Sequence, residues 1–434
     1  MMPSGTDILS MRPFEVCSIR PPTENFSLTF RLTRNCYWNK CAFCPVYQLG
    51  AKYSKRDLAD VLEDISRAKR IDDYLFERGI GYPVYSSASH GRIPEISDQV
   101  MAAQWEAGIF PEESPEELRC DQDIDPRLAW FLTWFNSRPN LADCMNHILN
   151  WRIHGGATCF LGDADSLNLK PGFVSRIIGT VQENFPDISR FTVYGRTSSA
   201  ARMRTVKDLR ELYRAGLDRV HFGLESGSDK VLSRVHKGVT AEDHVAGCLK
   251  TKEAGLSCSV YVMPGLGGAD CSLEHAHDTA RVLTRIAPDY IRLRSLEIFP
   301  MTGLADAVQN GSFTEATEEQ VVREIRTLVE ETDADTELLS DSATNLLNIN
   351  GRLPVDRKRI LAEIDDYLSL GTREKLEYSL HARLQSFIGQ YGEPSEDIIT
   401  ALMPYLRNSR LDLEKAGNQV LNEIITMIRM KLMP

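Results

Sequence analysis

Cys36, Cys41 and Cys44 lie together in the run Arg34-Asn-Cys-Tyr-Trp-Asn-Lys-Cys-Ala-Phe-Cys-Pro45. The Cys-x4-Cys-x2-Cys spacing, with an aromatic just before the last cysteine, lets one short loop present three thiolates to a single metal centre. The count matters. Structural zinc sites and electron-transfer clusters are held by four protein ligands, whereas three ligands leave a coordination position open for chemistry. From spacing alone the loop fits an open iron–sulfur site, and it equally fits part of a zinc site completed by a distant residue. The remaining cysteines, Cys17, Cys120, Cys144, Cys159, Cys248, Cys258 and Cys271, supply no second Cys-x2-Cys knuckle for a zinc ribbon. The wide spacing of Cys248, Cys258 and Cys271 argues against an auxiliary cluster, and His275-Ala-His277 reads as part of a surface helix.

The loop has to be positioned by what precedes it. Residues 26–34 alternate apolar and polar as a half-buried strand does and lead directly into Cys36. A helical stretch is expected near 55–80, followed by a Pro/Gly/Ser-rich passage with Gly81-Tyr-Pro83 and Ser87-Ala-Ser-His-Gly91. Residues 126–151 are apolar and aromatic at helical spacing (Leu128, Trp130, Phe131, Trp134, Phe135, then Leu149 and Trp151) and read as a core stripe.

From residue 156 the pattern becomes regular. Strands are expected at 157–162, 190–196, 218–225, 256–263 and 289–296, alternating with helices near 171–184, 205–215, 240–254 and 272–286. With the first strand this makes six βα-type units and a parallel sheet. The expected fold is α/β: a partial (βα)6 TIM-type barrel with a long insertion after its first strand and an α-helical C-terminal region. The organisation that follows is an N-terminal arm (1–25), the partial barrel (26–304, with 50–155 a mostly helical insertion) and a helical region (305–434) in which no comparable strands are expected. A long passage after the first strand is also placed to form a lid over the strand ends.

Side chains alternate across a strand. Phe191 and Val193 oppose Thr192, Tyr194 and Arg196; Val220, Phe222 and Leu224 oppose His221, Gly223 and Glu225. Val260 and Val262 oppose Ser259, Tyr261 and Met263; Ile291 and Leu293 oppose Arg292 and Arg294. Packing the apolar set under the helices leaves an inner wall of Arg, Tyr, His and Glu. A closed eight-stranded barrel fills its interior with branched aliphatics, so a polar wall fits an open, curved sheet around a substrate cavity. Tyr194, His221, Tyr261, Arg292 and Arg294 are the substrate-facing candidates, and the arginines suit a carboxylate or phosphate. Mutual pairing of Arg196, Arg292 and Arg294 with Glu225 and Glu297 is the alternative reading.

The 434 residues carry 50 basic and 61 acidic side chains, a formal net charge of −11. That balance argues against a nucleic-acid substrate, which is usually met by a basic face, and favours a small molecule. No signal peptide or membrane span is evident, and unpatterned cysteines fit a reducing compartment, so a cytoplasmic location is expected.

The Cys-x-Phe-Cys loop after the first strand of a parallel array resembles the radical S-adenosylmethionine (SAM) superfamily. The resemblance continues in Phe160-Leu-Gly-Asp-Ala-Asp-Ser166, Phe222-Gly-Leu-Glu-Ser-Gly-Ser-Asp229, Lys237-Gly-Val239 and Val262-Met-Pro-Gly-Leu-Gly-Gly268. These runs are similar to the branch of oxygen-independent coproporphyrinogen oxidases, methylthiotransferases and the elongator catalytic subunit. The resemblance implies an oxygen-sensitive [4Fe–4S] cluster held by Cys36, Cys41 and Cys44. SAM on its fourth iron would be cleaved reductively to a 5′-deoxyadenosyl radical that abstracts hydrogen from substrate. An electron donor such as flavodoxin or ferredoxin is implied as partner.

The resemblance also implies site roles. Phe43 lies near adenine, and Gly162, Asp163, Ala164 and Asp165 at the SAM amino group. Arg196 meets the SAM carboxylate, Glu225 and Ser226 the ribose or methionine moiety, and Gly265, Gly267 and Gly268 lie against adenine. Two departures stand out: the first cysteine gap is four residues where three is usual, and Gly162-Asp-Ala-Asp165 replaces Gly-Gly-Glu. An iron–sulfur electron carrier or scaffold, which would need a fourth protein ligand, and a radical SAM enzyme acting on RNA are the alternatives.

Overall fold

A computed structural model of the chain describes residues 9–17, 19–47, 52–80, 92–108, 139–407, 410–413 and 416–433. The passages at 81–83 and 87–91, Cys120, and the aromatic stripe from Leu128 to Phe135 lie outside the described residues. One sheet organises the molecule. Its strands, in spatial order, are β1 (Leu28–Arg31), β2 (Thr158–Gly162), β3 (Arg190–Gly195), β4 (Leu217–Glu225), β5 (Ser257–Val262), β6 (Tyr290–Leu293), β7 (Thr336–Leu339) and β8 (Gly351–Leu353). Neighbours from β1 to β7 pair in parallel, and β8 turns back antiparallel to β7. Parallel pairing requires a crossover between strands, and helices supply it: Pro171–Asn184, Val206–Ala215, Ala241–Glu253 and Gly268–Ile286. Each strand adds at the same edge, as in a barrel wall, and the wall ends at β1 and β8 as its two edges.

Helix starts follow from local chemistry. Thr205 and Asp208, Thr240 and Asp243, and Thr317 and Gln320 form reciprocal capping boxes that satisfy the first free N–H groups of their helices. The apolar strand faces anticipated above (Phe191, Val193, Val220, Phe222, Leu224, Val260, Val262, Ile291, Leu293) are all buried in one continuous core.

Two expectations are corrected. Strands do occur beyond residue 304: β7 and β8 extend the sheet. Thr336-Glu-Leu-Leu339 alternates over only four residues, too short a run to separate strand from the helically spaced leucines around it. The described part of the long insertion is also no lid. Helices Leu58–Glu77 and Leu141–Ile153 bury Val61, Ile65, Ile71, Met145 and Ile148 in the main core and contact β1 and the helix Pro171–Asn184, forming the outer layer there. The C-terminal helices Thr372–Tyr391 and Asn418–Arg429 pack through a separate apolar cluster including Leu380, Phe387, Ile424 and Ile428. Among the described residues no helix is long and apolar enough to cross a membrane.

Candidate active site

β1 ends where the cysteine loop begins, and its register with β2 (Phe30 beside Leu161, Arg31 beside Gly162) sets that end against the end of β2. The loop is then pinned from several sides. Asp163, almost fully buried, accepts from the Asn35 N–H (3.0 Å), from Arg31 Nη2 (3.1 Å) and from Tyr47 Oη (2.7 Å). One carboxylate thus ties the loop's start to its finish. Asn35 and Asn39 take left-handed backbone (φ 68° and 44°), a conformation asparagine tolerates better than most residues. On the far side the Ala42 N–H donates to the Val235 carbonyl (2.9 Å), and Trp38 Nε1 donates to the His236 carbonyl (2.8 Å).

The three cysteines border one cavity of about 190 Å³ at the C-terminal ends of the strands, shared with Phe43, Arg196, Glu225 and Lys237. Parallel α/β architectures bind ligands at that end. Burial pushes the Cys36 thiol up and the Cys44 thiol up to about 12, so these sulfurs become thiolates only against a cation. Among the described residues no three His, Cys, Asp or Glu side chains converge on a point suited to one metal ion. The three thiols nevertheless share one cavity wall. No fourth cysteine or histidine borders that cavity among the described residues.

Opposite the loop, Arg196 is 8% exposed. Its Nη2 donates to the Lys237 carbonyl (2.5 Å), its backbone N–H to Asp165 Oδ1 (3.0 Å), and its guanidinium lies 5.2 Å from the Trp38 ring. Its Nε is buried without a partner, and no carboxylate is within ion-pair distance among the described residues. That is an anion acceptor with a donor to spare. Glu225 sits at the end of β4 with φ 67°, where the register against β5 shifts. Such an irregularity re-aims a side chain, and the Glu225 carboxylate meets Lys237 Nζ at 3.0 Å. Lys237, 5.6 Å from the Phe43 ring centroid, was not anticipated. It lies on a turn outside any strand, and the only signal for it was the Lys237-Gly-Val239 run.

Other anticipated cofactor residues are directed elsewhere. Ala164 borders the cavity, but Asp163 is committed to the loop and Asp165 to Arg196 and Ser199 (Oγ to Oδ2, 2.6 Å); burial raises Asp165 to about 6. Gly162 serves packing, since a Cβ there would lie 2.2 Å from Cys17 Sγ. Ser226 is fully buried, with its hydroxyl 2.8 Å from His275 Nδ1, whose Nε2 lies 3.1 Å from the Met263 carbonyl. Gly265 donates its N–H to Glu324 (2.6 Å), and Gly267 and Gly268 permit close approach to the carbonyls of Cys271 and Thr314. None of these four borders the cysteine cavity. His277 is exposed and pairs with Glu331, so it shares no face with buried His275.

The inner wall divides by depth. Tyr194, Tyr261 and Arg294 border the cysteine cavity. His221 and Arg292, one inward step earlier on their strands, do not. His221 is sealed beside Glu24 (3.6 Å) and burial drops it to about 4. Arg292 is fully buried, bonded to Asp341 Oδ2 (2.5 Å). Neither borders this cavity or the larger one beside it, so the substrate-facing placement expected for them is not where the structure puts them. The mutual pairing anticipated for the wall also fails: Glu225 pairs with Lys237 and Glu297 with Arg429 (3.2 Å).

Two predictions follow from these contacts. A Cβ at Gly223 would lie 2.4 Å from Glu225 Oε1 and 2.9 Å from Lys237 Nζ, the free ends of flexible side chains. Gly223→Ala should therefore fold normally and push that ion pair into the cavity. At Gly227 the Cβ meets backbone instead (Asp278 carbonyl, 2.5 Å), and Gly227→Ala should lose roughly 1–3 kcal/mol of stability. Thermal melts of both variants separate the two cases: Gly223→Ala should melt with the parent and Gly227→Ala well below it.

Glu324 provides a pH test. Burial raises it to about 7, and it faces His275 (3.8 Å), which burial lowers to about 4. A carboxyl with a raised folded pKa stabilises below its unfolded value near 4.5 and loses that contribution as pH rises towards 7. Glu324→Gln should thus gain stability relative to the parent between those values and hold the gain, about 3 kcal/mol, above pH 7. A pH-independent difference in melting would contradict it.

Residues 142–280 match the family model described as the Radical SAM superfamily. The matched stretch begins after the cysteine loop, which the β1–β2 pairing brings to it. Among curated proteins, the tRNA uridine(34) acetyltransferase of Methanocaldococcus infernus is 23% identical over 121 residues, 27% of this chain and 22% of that protein. The enzyme of the same name from Methanocaldococcus jannaschii is 22% identical over 122 residues, with the same shares. The chain spans about a fifth of the length of these relatives. Among solved structures, the archaeal Methanocaldococcus infernus Elp3 with an N-terminal deletion is 15% identical with a TM-score of 0.37, over 49% of this chain and 53% of that one. Methylornithine synthase (PylB) is 9% identical with a TM-score of 0.40 over 83% of each chain.

Proposed function

We propose, for a chain that is a member of the radical SAM superfamily, that the cavity behind the cysteine loop is where a [4Fe–4S] cluster and SAM meet and where a small-molecule substrate loses a hydrogen atom. The observation that carries this reading is the sharing of one cavity wall by three thiols, an arginine with a spare buried donor and a lysine-anchored glutamate. When bound, the cluster and SAM supply a one-electron cleavage of a carbon–sulfur bond that yields a 5′-deoxyadenosyl radical. The protein's own residues do the rest. Cys36, Cys41 and Cys44 would hold the cluster through their thiolates. Arg196 offers its guanidinium to the SAM carboxylate in a charge-assisted bond. Glu225, fixed by Lys237, offers acceptors to the ribose hydroxyls or the methionine ammonium. Phe43 supplies an apolar face for adenine, while Tyr194 and Tyr261 form the wall towards substrate and exclude water from the radical's path.

An iron–sulfur carrier would need a fourth ligand, and no fourth cysteine or histidine borders the cavity among the described residues. The name of the curated relatives raises an RNA substrate; the net charge of −11 opposes it. The test is electron paramagnetic resonance of the anaerobically reconstituted, reduced protein. The cluster signal should change on adding SAM. An unchanged signal at saturating SAM would favour the carrier reading.

A further inference from the structure

Tyr194, Tyr261 and Arg294 border a second cavity as well, of about 600 Å³, within the range of small-molecule sites. Its other walls come from the arm (Arg20, Pro22, Asn25), the segment between β7 and β8 (340–348) and the helix Thr372–Tyr391. Among the described residues its charged lining consists of Arg20, Arg294 and Asp341. Asp341 is already neutralised from behind by Arg292, which leaves a surplus of two positive charges in a protein that is strongly acidic overall.

Neither surplus cation has a carboxylate within ion-pair distance among the described residues. Arg20 donates one bond to the Cys17 carbonyl (3.1 Å), while its Nε is buried without a partner. Burial without a counter-ion lowers its pKa, the condition an incoming anion relieves. Neutral side chains with hydrogen-bonding groups, Asn25, Gln385 and Ser386, complete the wall.

We propose that this second cavity is the substrate site and that it takes a small organic anion, its carboxylate or phosphate held between Arg20 and Arg294. The remainder of the molecule would reach past Tyr194 and Tyr261 into the cysteine cavity. The proposal rests on the radical SAM reading for the reaction but not for the binding. Isothermal titration of the full-length protein, with inorganic phosphate in one arm and succinate in the other, tests it directly.

At least one probe should bind, and Arg20→Gln and Arg294→Gln should each weaken it about tenfold, the loss expected for one charge-assisted contact. Arg20→Lys and Arg294→Lys should recover most of the affinity. The preferred probe assigns phosphate or carboxylate. Saturating SAM should not displace it. Absence of binding by both probes at tens of millimolar, affinity indifferent to all four variants, or displacement by SAM would each overturn the proposal. Formation of 5′-deoxyadenosine by the parent protein is scored separately. Its loss with anion binding intact would sink the radical reading alone, and its presence without anion binding would sink this proposal alone.

Discussion

Cys41→Ala is expected to lose the [4Fe–4S] cluster and with it all SAM cleavage. Cys41 is 8% exposed and borders the cavity between Cys36 and Cys44. Removing it leaves two thiolates where three irons need one each. No substitute is at hand, because no other cysteine or histidine among the described residues borders that cavity. Iron and sulfide analysis with the visible absorption spectrum measures the loss. Cys271→Ala is the control: Cys271 is also buried but lies in the apolar cluster with Val231, Leu266 and Phe313, and should keep a full complement of iron. A full cluster in Cys41→Ala would mean that the ligands are misassigned.

Arg196→Gln should bind SAM roughly ten- to a hundredfold more weakly while loading iron normally. A charge-assisted hydrogen bond contributes about 1.5–3 kcal/mol, and Arg196 is the cavity's cation with a spare buried donor and no carboxylate partner among the described residues. Arg196→Lys should recover only part of the loss, since an ammonium cannot keep the bond to the Lys237 carbonyl and reach a carboxylate in the same fork geometry. Equal SAM affinity in parent and Arg196→Gln, measured by calorimetry on loaded protein, would remove Arg196 from the site.

Much of the architecture was legible because it depends on local periodicity. The alternation of Val260 and Val262 with Ser259 and Tyr261 states which face is buried, and the helix Pro171–Asn184 begins and ends where its pattern does. Depth along a strand is not local. His221 and Glu225 carry the same facing signal, yet one is sealed by Glu24 from the arm and the other opens on a cavity. Arg292 and Arg294 differ in the same way, through Asp341. Those partners are brought in by the tertiary fold, and no spacing announces them. Asp163 depends on tertiary partners in the same way: an acid beside a glycine suits an ammonium, and Arg31, Asn35 and Tyr47 already bond its carboxylate. The glycines at 265–268 signal close backbone approach correctly. The protein's own carbonyls at Cys271 and Thr314 lie close to Gly267 and Gly268.

The central claim is that these residues assemble a site for reductive SAM cleavage. It is tested most directly by reconstituting the protein anaerobically with iron and sulfide, reducing it with dithionite in the presence of SAM, and quantifying 5′-deoxyadenosine and methionine by chromatography. Equal amounts of both products, formed by the parent and absent from Cys41→Ala, are the predicted result. An intact, reduced cluster that leaves SAM uncleaved would contradict the account.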